Sequence, residues 1–413
     1  MLIRTNYKGI ELIDRDFTPQ EKKATLGLAS IFSLRMLGLF LALPVLSIYA
    51  HQFPGATSFL VGIAIGAYGL TQAFFQIPYG LLSDKIGRIP ILIFSTIIFI
   101  FGSLLAAYAS LEQDIYLLIA GRFLQGMGAV SSVVIALIAD LTREEIRTRA
   151  MATIGASIGM AFAFGMVLGP WIAAHFGLAG VFGFTALLAA FSLPYIIWGI
   201  PRPKQVIHHD DAEFTGSYLG TVLKDPNLLK MDFGMFTLHM GLTAVFTSAP
   251  LILKQFMDVQ DLWKVYLVMF LVGLTFMVPT TIIAEKKGLI KEVKILGIII
   301  LILSFGLFME FETQFVPAII AIIVYFTGFM VLEPIMPSLM SRYAKPQVKG
   351  TASGVFNTAQ FLGAFVGGAV AGYLLQFGHK QVFIFLGVIT FIWLLTVFTM
   401  DMPESVKAKR KKS

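Results

Sequence analysis

Long apolar stretches alternate with short polar ones along the whole chain. Twelve of these stretches approach or exceed the roughly 20 residues that an α-helix needs to cross the hydrocarbon core of a bilayer. The pattern therefore predicts an all-α integral membrane protein with twelve transmembrane helices, which we call spans 1 to 12 in chain order. They cover residues 24–50, 58–82, 89–111, 115–140, 149–175, 179–200, 231–254, 263–285, 293–310, 314–338, 350–377 and 380–400.

The longest polar gap, residues 201–230, divides the spans into six and six. Spans 5 and 11, each fifth in its half, are both rich in glycine, as an internal repeat requires. Transporters built from structural repeats have this organisation. The sequence predicts the following parts: an N-terminal tail (1–23), a first six-helix bundle (24–200), a linker (201–230), a second six-helix bundle (231–400) and a basic tail (401–413).

Composition supports a membrane protein. The chain of 413 residues is 57% hydrophobic and 13% charged, whereas soluble domains average about 45–50% apolar and about 25% charged residues. It contains no cysteine, which excludes disulfides and thiolate chemistry. The N-terminus is polar up to Lys23, so we expect no cleavable signal and a first span that remains as an anchor.

The basic residues predict an orientation. With both termini in the cytoplasm, 26 of the 31 Lys and Arg residues lie inside and only Lys254, Lys264 and Lys380 lie outside, as the positive-inside rule requires. The same distribution explains the net charge of +7 without a nucleic-acid partner. We expect the basic run 407–412 to be an anchor near anionic lipid.

One short stretch, residues 80–88, separates spans 2 and 3. It contains two glycines, Gly80 and Gly87, one acid, Asp84, and two bases, Lys85 and Arg88. Asp140 ends span 4 at the same predicted face. Charges so close to apolar helices are expected at a membrane surface, where they pair or cap helix ends. We therefore predict an Asp84–Arg88–Asp140 cluster that acts as a conformational latch, with the start of span 11 near Gly350 as its target in the other half.

Ionisable residues within spans are costly and need a partner or a function. His239 in span 7 and Glu333 in span 10 both lie roughly 13–14 Å from the cytoplasmic face, and Arg35 in span 1 roughly 18 Å. An acid and a histidine at matched depth are candidates for proton binding; the alternative is structural hydrogen bonding. Arg122 in span 4 is either a fixed charge beside a proton site or an anchor for backbone carbonyls.

Polar side chains in the spans are candidates for lining a cavity, with interhelical hydrogen bonding as the alternative. They are Gln72, Gln76, Gln125, Asn357 and Gln360. Phe162 and Phe164 are candidates for an aromatic wall. The sequence 208–211 has the composition of metal ligands but lies in the linker, so we expect a solvated loop, no metal site and no cofactor.

Together these motifs resemble the major facilitator superfamily over nearly the whole chain. Residues 80–88 resemble its signature loop between helices 2 and 3, with Lys85 where Arg is common and Ile89 where a third base is common. Arg122, Gln125, Gly126 and Gly128 resemble the helix 4 motif linked to proton transfer. Gly165, Gly169 and Pro170 resemble the helix 5 antiporter motif, although Ala173 and Ala174 replace its trailing glycines.

The chain is most similar to the drug:proton antiporter family with twelve spans, through residues 33–38, 43–46, 140–144 and 263–267. The resemblance implies that the acid at Asp84 caps helix 11 in the outward-open state, that Arg88 pairs with it and with Asp140, and that Glu333 and His239 are candidate protonation sites. With Arg35 and Arg122, the charges within the spans, they form the candidate set for proton coupling. Some members carry a small soluble domain after helix 12. About a dozen residues follow the last span here, so we expect none in this stretch.

The expected function is proton-driven export of small amphipathic compounds by alternating access, in a monomer in the bacterial inner membrane. Its partners would be a small-molecule substrate, protons and the lipid bilayer. A symporter or facilitator of a metabolite such as a sugar is the first alternative, since only the helix 5 motif argues against it. A polytopic membrane enzyme is less favoured because no catalytic arrangement is visible, and no sequence resembling a channel selectivity filter is present.

Overall fold

The computed structural model describes residues 16–128, 130–202 and 214–403, together with residues 406 and 410. Eleven helical stretches in these ranges are long and apolar enough to cross a membrane. The longest has 56 residues and contains two crossings, because Gly177 leaves the helical conformation at φ 64° and ψ −172°. The prediction of twelve spans is therefore confirmed.

The helix bounds are as follows, with the span numbers kept. They are Pro19–Ala42 for span 1, Ser58–Ile86 for span 2, Arg88–Glu112 for span 3, Ile115–Leu141 for span 4, Glu144–Pro194 for spans 5 and 6, Pro226–Lys254 for span 7, Leu262–Lys287 for span 8, Ile290–Phe311 for span 9, Phe315–Tyr343 for span 10, Lys349–Leu374 for span 11 and His379–Phe398 for span 12. Short helical turns at Tyr195–Gly199, Gly216–Tyr218, Leu219–Val222, Val259–Asp261, Pro346–Val348 and Leu375–Phe377 flank them.

Span 1 differs from its predicted bounds at both ends. It begins at Pro19 rather than residue 24, because Thr18 and Glu21 form a capping box that extends the helix beyond the apolar run. It ends at Ala42, and a separate five-residue helix, Leu46–Ala50, follows. Pro44, which has no backbone N–H, lies in the turn between the two helices.

Two further boundaries are corrected by the structure. Span 4 consists of two helices, Ile115–Met127 and Ser131–Leu141, with a break at Gly128. Span 7 begins at Pro226 rather than residue 231, because the Asp225 side chain accepts hydrogen bonds from the backbone N–H groups of Asn227 and Leu228. The predicted linker is shorter by these residues. The segments 1–15, 203–213 and 407–409, including His208–Asp211 and part of the basic tail, lie outside the described residues.

The two ends of the molecule are named here by their turns. The basic face carries the turns at Gly87, Thr142, Gly288 and Ala344, and the opposite face carries those at Gln113, Gly177, Glu312 and Gly378. Spans 1 to 6 pack as one bundle and spans 7 to 12 as the other. Span 2 lies against span 11, and the helix of spans 5 and 6 lies against span 8.

The bundles are joined tightly near the opposite face. Glycines allow spans 2 and 11 to touch there: a Cβ added to Gly62 would collide with the carbonyl of Gly368, and one added to Gly66 would lie 2.9 Å from the Cα of Phe365. Ile48, from the short helix after span 1, is buried in the core of the second bundle. The opposite face is therefore closed in this structure.

Candidate functional site

A cavity of about 630 Å³ opens between the two halves at the basic face. Gln76, Gly80 and Asp84 of span 2 line the first half's wall, and Pro337 of span 10 and Asn357 of span 11 line the other. Phe214, at the end of the described linker, also lines it. Since the opposite face is closed, the cavity ends inside the protein.

The 80–88 stretch lies at the rim of this cavity. Gly87 ends span 2 with φ 101°, a left-handed conformation that favours glycine. The turn directs the buried Arg88 side chain back toward Asp84, with which it forms an ion pair, and toward Asp140, whose Oδ2 lies 2.9 Å from its Nε. Arg88 also donates to the Ser83 hydroxyl at 2.9 Å. The predicted meeting of the three charged side chains is present.

The latch role of this cluster stays a prediction. Asp84 and Gly350 line the same cavity, and the only ion pair that the structure assigns to Asp84 within the described residues is to Arg88, in its own half. Lys85 is exposed. Gly80 lies against span 4, where its added Cβ would be 3.4 Å from Ser132. In this structure the latch residues thus belong to the first half alone.

His239 and Glu333 lie one helical turn beyond the cavity lining. Glu333 precedes Pro337 by four residues on span 10, and Gln360 follows Asn357 by three on span 11, so both lie on the faces that line the cavity. His239 Nε2 is 3.9 Å from Glu333 Oε1 and 2.8 Å from the Gln360 amide nitrogen. The equal depths of His239 and Glu333 in the membrane, counted from the sequence, therefore predicted that the two side chains lie close together.

Gln360 and Glu333 both lie beside the Nε2 atom of His239. The Gln360 amide nitrogen lies 2.8 Å from Nε2, and the role of this ring nitrogen follows the tautomer of the imidazole. About 40% of the Glu333 side chain is accessible, and its Oε2 atom is buried without a hydrogen-bond partner. A carboxyl group with an unused buried oxygen beside an imidazole can take up a proton.

An aromatic cluster closes the path beyond Glu333. On span 10, Phe329 and Phe326 lie one and two turns further toward the opposite face than Glu333. Phe329 contacts the His239 ring at 5.8 Å between centroids, and Phe326 contacts Phe162 of the first half at 5.9 Å. Phe162 also meets Phe40 at 5.0 Å. The predicted aromatic wall includes Phe162, whereas Phe164 is exposed on the surface.

Arg122 is placed as a carbonyl anchor, the structural alternative that its sequence left open. Its Nε donates to the Ala64 carbonyl at 3.2 Å and its Nη2 to the Ile65 carbonyl at 3.4 Å. Its Nη1 donates to Gln125 at 2.7 Å, and Gln125 in turn donates to the Ser103 hydroxyl at 2.8 Å. This network lies in the core of the first half, so Gln125 does not line the cavity.

Arg35 is likewise buried and away from the acid. It donates to the carbonyl of Gly128, at the break in span 4, and its guanidinium carbon lies 4.3 Å from the Phe99 ring centroid. Within the described residues neither Arg35 nor Arg122 forms an ion pair with a carboxylate. The two arginines thus contact groups of the first bundle, while the acid and the histidine lie in the second, and a part for Arg35 and Arg122 in proton coupling stays a prediction.

The remaining predicted residues have packing roles as well. Gln72 donates to Ser131 of span 4 at 3.4 Å. Gly165 and Gly169 allow span 5 to pack on span 1: a Cβ added to Gly165 would lie 2.6 Å from the Cβ of Phe40, and one added to Gly169 would collide with the Leu41 carbonyl. Pro170 is buried beside them. The helix 5 motif therefore fixes the contact between spans 1 and 5.

Comparison with known proteins agrees with this architecture. The sequence model of the Major Facilitator Superfamily matches residues 28–368. The chain is 40% identical to the inner membrane transport protein YajR of Escherichia coli over 96% of this chain and 87% of that protein. It is 24% identical to the multidrug resistance protein MdtH of Aeromonas salmonicida over 84% of this chain and 86% of that protein.

Two solved structures have the same fold at low sequence identity. One is the human organic anion transporter MFSD10, with a TM-score of 0.68 and 18% identity, covering 92% of this chain and 100% of that chain. The other is a mutant of the nucleoside transporter NupG, with a TM-score of 0.72 and 16% identity, covering 91% of this chain and 99% of that chain. At such identities the likeness establishes the fold alone.

Proposed function

The chain belongs to the major facilitator superfamily of membrane transporters, and on that premise we propose that it is a proton-coupled exporter of small amphipathic compounds. The observation that carries the proposal is the cluster of Glu333, His239 and Gln360 directly beyond the inner end of the cavity. A molecule that fills the cavity from the basic face meets the candidate proton site next.

The orientation follows from the charge distribution. Because basic residues favour the cytoplasmic side, we assign the basic face and both termini to the cytoplasm and the protein to the bacterial inner membrane, as a monomer. The state described here is then open inward. Substrate enters from the cytoplasm or the inner leaflet, and closing of the basic face with opening of the opposite face releases it outside.

Coupling requires that proton and substrate favour different states, since a ligand with equal affinity for both shifts nothing. Glu333 takes up a proton when the opposite face is open and loses it when the inward-open cavity binds substrate. His239 accepts or shares that proton because its Nε2 lies 3.9 Å from the carboxylate. Gln360 changes its hydrogen bond between the two residues as the proton moves.

Export rather than uptake is supported by two further observations. The Gly165–Pro170 segment resembles the antiporter motif, and a relative at 24% identity is named for multidrug resistance. The apolar side chains that line the cavity, among them Ile77, Met151 and Phe214, offer a surface for apolar groups. Amphipathic compounds fit a cavity that is lined by both charged and apolar side chains.

The latch residues act when the basic face closes. When the basic face closes, the Asp84 carboxylate approaches the first turn of span 11 near Gly350, where the positive end of the helix dipole favours an acid. Arg88 and Asp140 hold Asp84 in position. In the inward-open state the same carboxylate lies on the wall of the cavity.

Proton release on ligand binding tests the proposal on the purified protein. Ligands are first found as compounds that raise the unfolding temperature, from a panel that includes ethidium, tetraphenylphosphonium, chloramphenicol and norfloxacin; binding at 100 times Kd adds about 2.7 kcal/mol of stability. We expect binding of such a ligand to release protons into a weakly buffered solution, and Glu333→Gln to reduce that release to background while binding persists.

Glu310→Gln is the matched control, because Glu310 is an exposed carboxylate on span 9. It should release protons as the unsubstituted protein does. Undiminished proton release in Glu333→Gln would remove Glu333 from the coupling mechanism.

A further inference from the structure

A histidine lies at the closed junction of the two halves on the opposite face. His51 follows the short helix Leu46–Ala50 of the first half. Its Nδ1 atom lies 2.6 Å from the Ser47 carbonyl and its Nε2 atom 3.2 Å from the Ser58 hydroxyl, at the start of span 2. The ring is half-buried and its two nitrogens are both engaged, so it has a defined place in the closed state.

The residues around His51 belong to the contact that keeps this face shut. Ile48, one turn earlier, is buried in the second bundle's core. A Cβ added to Gly372 of span 11 would collide with the carbonyl of Ser58, the residue whose hydroxyl His51 contacts. Phe59 meets Tyr373 of span 11 at 6.4 Å between ring centroids. Opening of the opposite face must therefore separate Ser58 and Phe59, which lie beside His51, from span 11.

The charged and titratable groups that face His51 across this junction are basic. Lys254 ends span 7, and its positive charge disfavours protonation of His51. His379, at the start of span 12, is uncharged at neutral pH, because burial, and then a charge on His51, lower its pKa to about 4. His379 is held by the Ser248 hydroxyl, 2.7 Å from its Nδ1. From span 2 the contact is the uncharged Ser58. Within the described residues, none of the three basic side chains pairs with a carboxylate.

The helix of spans 5 and 6 also packs against the short helix. Its contact there is neutral: the Tyr49 hydroxyl donates to the Ala173 carbonyl at 2.7 Å. His175 on that helix is exposed and contacts Trp171, with 4.7 Å between the centroids of the two tilted rings. A positive charge on His51 in the closed state is thus opposed by Lys254 of the second half, while the Ser47 carbonyl of its own half, next to Nδ1, favours it.

We propose that His51 is a second proton-binding site, separate from Glu333, and that its protonation opens the opposite face. A proton on His51 adds a positive charge that the ammonium group of Lys254 in the second half opposes. It also removes an acceptor from the contact with Ser58, the residue whose carbonyl lies against Gly372 of span 11. The proton leaves again when the face closes. A low pH outside the cell would thereby favour the state with the opposite face open, in which Glu333 accepts a proton. This role in transport rests on the proposed function, which places the opposite face outside the cell. The effect of His51 protonation on the opening of that face does not depend on it.

The sign of the pH dependence follows from the closed state. Burial lowers the pKa of His51 below its ordinary value in this state; the hydrogen bond to the Ser47 carbonyl opposes this shift and the charge of Lys254 adds to it. The ring regains an ordinary pKa of about 6.5 when solvated in the open state. The closed state is therefore most favoured above that pH. As pH falls below it, the open state binds the proton more tightly, and each unit of pKa difference changes the open-to-closed ratio up to tenfold.

Spin-label distances test the proposal without transport. Because the chain has no cysteine, Glu112→Cys and Thr313→Cys, exposed residues of the two halves on the opposite face, can carry the labels in lipid nanodiscs. Between pH 8 and pH 5.5 we expect the population of long distances to rise at least about threefold relative to the short one. His51→Gln should abolish this rise, and His51→Arg should give the long distances already at pH 8.

His175→Gln is the matched control, an exposed histidine on the same face, and should retain the full response. Glu333→Gln should also retain a response, which separates this site from the proposed coupling site. An unchanged response in His51→Gln, or no response in the unsubstituted protein, would overturn the proposal. If His51→Gln does not fold, His51→Asn serves as the second neutral variant, and size-exclusion profiles verify folding for each protein.

Discussion

Arg35 and Arg122 show how a buried charge is used for stability within this protein. Both guanidinium groups donate to backbone carbonyls of a neighbouring span, Arg35 to Gly128 of span 4 and Arg122 to Ala64 of span 2. Arg35 reaches Gly128 at the break of span 4, where the regular helical pattern of hydrogen bonds is interrupted. Each arginine is thus best understood as part of the first bundle's framework.

A substitution at Arg35 should lower stability and leave coupling in place. Arg35→Met keeps the volume but removes the donor to the Gly128 carbonyl, which costs about 1–3 kcal/mol for a buried acceptor. We expect a lower thermal unfolding temperature in detergent, with ligand-induced proton release unchanged. Lys85→Met, at an exposed position, should leave the unfolding temperature as it is. Loss of proton release in folded Arg35→Met would contradict the structural role.

At this scale the sequence predicted some contacts and not others. His239 and Glu333 could be paired because depth along two helices follows from counting residues from the membrane face. The Asp84–Arg88–Asp140 cluster followed from topology in the same way. The partners of Arg122 could not be predicted, because backbone carbonyls have no signature in the sequence. The place of His51 also depends on how the two halves meet, which no local pattern encodes.

Spans 2 and 11 form the contact on which opening of the opposite face depends. Their close approach uses glycines on both helices: Gly62 faces Gly368 and Gly372. Such small residues let helices pack closely and separate again without large side chains that interlock. The same two helices carry Asp84 and Gly350 at their other ends, so one pair of spans serves both faces.

Gly62→Ala tests this contact. The added methyl group would lie 2.8 Å from the Cα of Gly372 and would collide with the Gly368 carbonyl, so the two helices must move apart. We expect the labels on Glu112→Cys and Thr313→Cys to report longer distances at pH 8. Gly306→Ala in span 9, where nothing lies within 4 Å of the added Cβ, is the matched control. Equal distances in the two variants would contradict the account.

The elements themselves were predicted well in number and less well in their bounds. Hydrophobic length identified all twelve crossings, because backbone groups in lipid must be satisfied within helices. The helix ends were missed where capping side chains, such as Thr18 and Asp225, extend a helix into polar sequence. The break in span 4 was missed because an apolar run remains continuous across it. Pro44 was the visible signal for the break after span 1.

The whole molecule is a transporter with its cavity open at the basic face and its halves joined at the other. Charged residues are distributed according to this geometry: the latch lies at the rim of the cavity, the candidate proton site at its inner end and the His51 junction at the closed face. A single rocking motion of the two halves would therefore change the surroundings of all three sites together. This arrangement is what alternating access with proton exchange requires.

The central claim is that substrate and proton move in opposite directions. Its most direct test uses proteoliposomes that contain a pH-sensitive dye and a ligand found by thermal stabilisation, with no other ion gradient. Release of the preloaded ligand should acidify the lumen, an imposed inward proton gradient should accelerate that release, and Glu333→Gln should abolish both effects. Alkalinisation of the lumen as the ligand leaves would mean that proton and substrate move together, and would contradict the account.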